Sequence, residues 1–179
     1  MRLTISGPPG SGKTTACELL SGALDKKAVV FGTLFRELAS ERGLTLAELG
    51  EIAERDGSID EMIDSRIVNI ARENDNIILE SRLAAHMTER NGIPAFRIYL
   101  DASPEVRAKR IGKRDGETEE EAVRATAERQ ASEERRYRMY YGIDINDKSV
   151  YDLVINTDSI DPDEVLRTIL NALEENGCL

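Results

Sequence analysis

A three-layer α/β fold, with a parallel sheet of about five strands and helices on both faces, is what this 179-residue sequence predicts. Three observations predict it. Short apolar runs at 3–6, 29–31, 77–79, 96–100 and 152–155 alternate with longer helical patterns, and such continuous runs mark strands buried on both faces. Helix starts between the runs carry capping signatures. The first run leads directly into a glycine-rich turn that opens a helix.

Taken in order, the strand at 3–6 is followed by that turn and by a helix over 15–24. The second strand, at 29–31, leads into a helical stretch over 35–73. There Thr45 with Glu48, and Ser58 with Glu61, fit the capping-box spacing, and Gly43 is placed to end a helix. The third strand, at 77–79, precedes a short helix expected to expose His86. After the fourth, at 96–100, Ser103-Pro104 sets a cap and a first-turn proline, and Thr118 with Glu121 caps the next helix. A charged turn at 113–121 reads as a hinge. The fifth strand, at 152–155, is followed by a helix that Asp161-Pro162 starts and Gly177 ends. No repeat or linker divides the chain, so one domain is expected over 1–179.

Composition narrows the function. Residues AVILMFWYC make up 40 % and charged residues 32 %, and no run approaches the roughly 18 apolar residues of a spanning helix. Met1-Arg2 leads straight into the apolar Leu3, leaving no room for a signal peptide. The expectation is a cytoplasmic monomer with no membrane association. A net charge of −10 argues against a nucleic-acid polymer as partner. One histidine and two separated cysteines, Cys17 and Cys178, offer no zinc site. Yet ten of the 24 Lys and Arg residues fall between Arg107 and Arg138. This pattern suggests either a small polyanionic ligand or a solvated helix laced with i,i+4 ion pairs.

The glycine-rich turn carries the chemistry. Gly7, Pro8, Pro9, Gly10, Ser11, Gly12, Lys13 and Thr14 match G-x-x-x-x-G-K-[ST] in full, between a strand and a helix. Glycines let successive backbone N–H groups turn inward around a phosphate, and the helix adds its positive end. Lys13 would neutralise the β- and γ-phosphates, and the Thr14 hydroxyl would ligate Mg²⁺. The pattern predicts ATP or GTP as ligand. Motors, GTPases, regulatory ATPases and small-molecule kinases all share this loop. No N-K-x-D-like guanine reader appears, and the third strand ends in a single carboxylate, Glu80, followed by Ser81-Arg82. At a strand's C-terminal end Glu80 faces the phosphate crevice, where it would hold a magnesium-bound water or serve as an ordinary turn acid.

Arg107, Arg110 and Arg114 recur at i, i+3 and i+7 and so share a helix face, as Arg129 and Arg136 do on the next helix. Arg124, Arg135 and Arg138 read as surface charge. Tyr137, Tyr140 and Tyr141, at helical spacing, read as core rather than as base-stacking groups.

Five pieces in this order resemble the nucleoside monophosphate kinases, most closely the archaeal-type cytidylate kinases. They are the loop through Thr15, Phe31-Gly32-Thr33-Leu34-Phe35-Arg36-Glu37-Leu38-Ala39, Leu79-Glu80-Ser81-Arg82-Leu83, the arginine-rich run from Glu105 to Arg114, and Arg136-Tyr137 with Tyr141-Gly142-Ile143-Asp144. The resemblance implies a P-loop NTPase fold and ATP- and Mg²⁺-dependent phosphorylation of a pyrimidine nucleoside monophosphate, CMP or dCMP. The alternatives are a kinase for UMP, AMP or another small phosphorylated acceptor, and a regulatory ATP-binding switch without transfer. It also implies an acceptor-binding flap over 35–73 and a lid over 113–141. Thr15 joins the ATP-binding loop, Arg36 takes the acceptor phosphate, and Arg82 sits between acceptor and γ-phosphate. Arg110, Arg114 and Arg129 would close over the transferring group, and their mutual repulsion would hold the lid open until phosphates arrive. Thr33 stands where relatives carry Asp or Glu, and Ser81 where Gly is usual. Asp60, Asp64 and Arg66 have the chemistry to read a base.

Overall fold

Five strands, all parallel, form one sheet in the order β2-β3-β1-β4-β5. They are β1 (Leu3–Ser6), β2 (Lys27–Val30), β3 (Ile77–Glu80), β4 (Phe96–Asp101) and β5 (Leu153–Asn156). The helices between them are α1 (Lys13–Leu24), α2 (Phe31–Glu41), α3 (Leu46–Arg55), α4 (Ser58–Glu73), α5 (Ala84–Arg90), α6 (Pro104–Asp115), α7 (Glu119–Tyr141) and α8 (Pro162–Glu175). The computed structural model describes every residue except Glu117.

The three predicted layers are present. Along β3, Ile78 packs with Leu3, Ile5, Leu20, Ile98 and Ile169 against α1 and α8. Its neighbours Ile77 and Leu79 point the other way, into Ile63, Ile67, Leu83, Met87 and Tyr137 of the opposite helical layer. Burial on both faces is why these strands are unbroken apolar runs rather than alternating ones. A smaller apolar cluster, Ala39, Leu49, Ala53 and Ile59, joins α2, α3 and α4 apart from the sheet.

The Thr45–Glu48 and Thr118–Glu121 capping boxes form, as do the Ser103 and Asp161 caps with proline in the first turn. Three expectations are corrected. The Ser58–Glu61 box is absent: Gly57 holds the cap position, and the Ser58 N–H is already taken by Asp56 Oδ1 at 3.1 Å. β2 stops at Val30, because Phe31 begins α2 and turns its ring into the core, 2 % exposed. His86 is buried, edge-on to Tyr151 with ring centroids 5.9 Å apart. At the expected hinge Gly116 closes α6 at φ 73, while Glu117 lies outside the described residues.

The order reverses at β1, with β2 and β3 on one side and β4 and β5 on the other. In such sheets the crevice beyond the C-terminal ends of the strands, at the reversal, is the natural ligand site. The glycine-rich turn leaves β1 at that point. Among the described residues, no helix is long and apolar enough to cross a membrane.

Candidate active site

The turn is shaped by close backbone approach. Gly7, at φ 148, lies so near β4 that an added Cβ would meet the Leu100 carbonyl oxygen at 2.1 Å. Gly10, at φ 82, faces α6, where a Cβ would stand 2.8 Å from the Arg107 carbonyl oxygen. Side chains are excluded at both positions, which leaves backbone amides to line the bend. Inside it, Ser11 Oγ is buried with no hydrogen-bond partner among the described residues. Lys13 begins α1 and donates from Nζ to the Pro8 carbonyl at 2.9 Å. Burial pulls its ammonium down to about 8; Arg82 and Arg129 act in the same direction, while Glu80 and Glu133 oppose them. A lysine depressed in this way is short of negative charge, which a bound phosphate would supply.

Thr14 Oγ1 donates to Glu80 Oε2 at 3.0 Å, joining the start of α1 to the end of β3. Two oxygens at the mouth of an anion loop suit Mg²⁺, which takes one or two protein oxygens and completes its shell with phosphate and water. Among the described residues, no group of three or more His, Cys, Asp or Glu could hold a metal alone. The donor set therefore fits an ion brought in with a nucleotide.

A cleft of about 750 Å³ opens from the loop. Residues 9–15 line it, together with Arg36, Glu80, Arg82, Arg110, Arg114 and Arg129. Two loop residues lie outside it: Gly7 packs on β4, and Pro8 faces a neighbouring cavity of about 410 Å³. The arginines come from α2, the turn after β3, α6 and α7. Burial, then the Arg129 and Arg114 charges, pulls the Arg36 guanidinium below its usual value, so these cations stand within one another's field.

They do not simply repel. Arg129 Nε and Arg82 Nε each donate to the same carboxylate, that of Glu133, at 3.0 and 2.6 Å. Arg110 is held by the Thr157 carbonyl at 2.6 Å and hydroxyl at 2.9 Å, and Arg114 pairs with Asp115 at 2.6 Å. The expected repulsion that keeps a lid open is thus largely satisfied within the protein. Arg107 shares the α6 face but braces the loop, donating to the Pro9 carbonyl at 3.3 Å and to Gln130 at 3.0 Å. Arg124, Arg135 and Arg138 are exposed, as expected.

Glu133 is the functional candidate that the sequence reading missed. Burial would raise its carboxyl, yet Arg82, Arg129 and Arg136 hold it down at about 2. Its spacing from Arg129 is that of an ordinary i,i+4 pair. Nothing along the chain announces the second partner, Arg82, which is 51 residues away. Arg136, on the arginine face shared with Arg129, is buried against Asp60, at 2.7 Å. Asp60 and Asp64 line the cleft, whereas Arg66 is exposed on the outer side of α4. Tyr137 is core; the Tyr140 hydroxyl binds the carbonyls of Ala53 and Glu54, and that of Tyr141 binds Asp64.

The sequence profile of the cytidylate kinase-like family matches residues 2–159. The chain belongs to that family. It is 51 % identical over 159 residues to a cytidylate kinase of Methanosphaerula palustris, covering 88 % of this chain and 89 % of that one. It is 46 % identical over 169 residues to a cytidylate kinase of Sulfurisphaera tokodaii, covering 94 % and 93 %. The shikimate kinase of Aquifex aeolicus shares the fold, with a TM-score of 0.61 at 20 % identity over 99 % of this chain and 98 % of that one. Family membership and the arginine-lined cleft thus agree on a nucleoside monophosphate kinase.

Proposed function

We propose that the protein moves the γ-phosphoryl group of ATP to CMP, with dCMP as a second acceptor, giving the diphosphate and ADP. In the same reading it does so as a monomer in the cytoplasm. The reading rests above all on the convergence of Lys13, Arg36, Arg82, Arg110, Arg114 and Arg129 on a single cleft beside the glycine-rich loop. Two phosphorylated ligands meeting head to head would present a run of phosphates to such a set. In-line phosphoryl transfer needs no nucleophilic side chain, because positioning and charge neutralisation carry most of the catalysis.

In this reading residues 9–15 wrap the ATP phosphates, and Lys13 leaves the Pro8 carbonyl for the β- and γ-oxygens. Thr14 and Glu80 would hold Mg²⁺, which neutralises developing charge on the phosphates. Arg36 binds the acceptor phosphate, and Arg82 stands between acceptor and donor. Residues 35–73 act as the acceptor flap and 113–141 as the lid, bringing in Arg114 and Arg129. Closure excludes water, which would otherwise compete for the phosphoryl group. The direct test is incubation with ATP and each of CMP, dCMP, UMP, AMP and GMP, followed by analysis for diphosphate. Failure with all five ends the kinase reading.

Arg36→Ala is expected to raise the KM for the acceptor roughly 10- to 100-fold, the value of a hydrogen bond to a charged group, with little change in ATP affinity. Weakened ATP binding alone would show that Arg36 serves the other substrate. ATP affinity should also depend on pH through Lys13. With the free ammonium at about 8, binding holds below that pH and weakens as the charge is lost above it. Titrations of ATP on either side of that pH measure this directly, and Lys13→Met should flatten the profile.

A further inference from the structure

The far end of the cleft is built differently from the phosphate end. Asp64 lies there, 7 % exposed, among apolar groups of α2, α4 and α7. The Tyr141 hydroxyl donates to its Oδ2 at 2.9 Å. No second donor reaches the carboxyl among the described residues, so Oδ1 keeps its lone pairs for a ligand. Beside it Arg136 is fixed by Asp60 and by Ser132 Oγ at 2.8 Å, and lies over the Phe35 ring at 5.6 Å. Those contacts use three of its five N–H groups, leaving two. One carboxylate oxygen and a guanidinium edge are thus presented together.

A pyrimidine offers two acceptors, N3 and O2, next to a 4-amino donor when it is cytosine. Uracil replaces the donor by an O4 acceptor and puts a hydrogen on N3. An ionised Asp64 accepts from the cytosine amine while Arg136 donates to O2, an acceptor that uracil keeps; against uracil the same carboxylate oxygen would face O4, lone pair to lone pair. Because Tyr141 donates to Oδ2, a proton taken up by Asp64 sits on Oδ1, where it can be donated to O4. We propose that Asp64 is the residue that reads the 4-position of the pyrimidine, and that its protonation decides between cytosine and uracil. This rests on the acceptor being a pyrimidine nucleotide.

The surroundings put that change of state within reach. Burial lifts the Asp64 carboxyl to about 7; Asp60, on the same helix, adds to the rise, while the Tyr141 hydrogen bond and the Arg136 charge oppose it. Tyr137 also faces it from α7, and Arg90 of α5 binds the Tyr141 carbonyl at 2.7 Å. Arg36 of α2 and Glu80 of β3 line the same cleft, to which α3 contributes only Leu46.

The test is calorimetric titration of CMP and UMP into the whole protein at about pH 6 and about pH 8, where Asp64 is mostly neutral and mostly ionised. The phosphate of the two nucleotides titrates alike and cancels in the affinity ratio. The preference for CMP should shrink about 100-fold from the higher to the lower pH, because CMP binds the ionised fraction and UMP the protonated one, and each changes about tenfold in opposite directions. Asp64→Asn should remove that dependence. Tyr141→Phe, which keeps the carboxyl and loses the hydrogen bond that favours ionisation, should move the midpoint to higher pH. A ratio that is flat in the wild type, or that still slopes in Asp64→Asn, overturns the proposal while CMP binding itself leaves the kinase reading intact. A protein that binds neither pyrimidine nucleotide, yet phosphorylates another acceptor, overturns both.

Discussion

Lys13→Met is expected to lower kcat about 10²- to 10³-fold while leaving the fold unchanged. Methionine keeps a flexible stem of similar length and removes only the charge. In the ligand-free protein Lys13 makes one hydrogen bond, to the Pro8 carbonyl, and its ammonium is already pulled down by burial. Losing a partly desolvated cation costs the folded state little, so thermal unfolding should scarcely change. The transition state loses more, because negative charge builds on the transferring group and its leaving oxygen, where the ammonium is needed most. Steady-state kinetics beside a melting curve separates the two effects. Near-wild-type turnover in a protein that melts normally would remove Lys13 from the mechanism.

The strands and the loop could be read from the sequence because both leave a local chemical signal. Apolar runs buried on both faces leave a continuous signal, and the glycines at 7 and 10 are required by backbone contacts with Leu100 and Arg107 that no side chain would survive. Thr45 and Thr118 were legible as caps for the same reason, since each satisfies a backbone N–H three residues on. Ser58 had the same pattern and failed, because a competing acceptor two residues earlier reached the N–H first. His86 carries no local mark of burial; packing against Tyr151, which lies 65 residues away in the chain, encloses it. The charged interior was the least legible part. The family resemblance pointed to Arg110, Arg114 and Arg129 at the transferring group, but repulsion was expected where Glu133 and Asp115 compensate Arg129 and Arg114 and the oxygens of Thr157 hold Arg110. Compensation of this kind is tertiary, and a count of local charge cannot detect it.

Glu133→Gln should therefore destabilise the ligand-free protein strongly, by about 3–5 kcal/mol, or roughly 6–20 °C in melting temperature for a chain of this size. The amide can still accept from Arg82, so the shape of the contact survives. What disappears is the anion between Arg82 and Arg129, 2.6 and 3.0 Å from its oxygens. An uncompensated cation in a buried site costs more than the pair gains, which is why removal of one partner is severe. Acid should reproduce the effect in the wild type. With the folded carboxyl at about 2 against an ordinary 4.5, its stabilisation is whole above the ordinary value and is lost as the pH falls towards the folded one. Ligands should reverse it in the variant. Phosphates bound between these arginines would replace the missing charge, so CMP with a non-hydrolysable ATP analogue should raise the melting temperature of Glu133→Gln by more than it raises that of the wild type. Equal increments in the two proteins would mean that bound phosphates never reach the cations Glu133 holds. A negligible loss of stability without ligand would mean that Arg82 and Arg129 do not need this carboxylate.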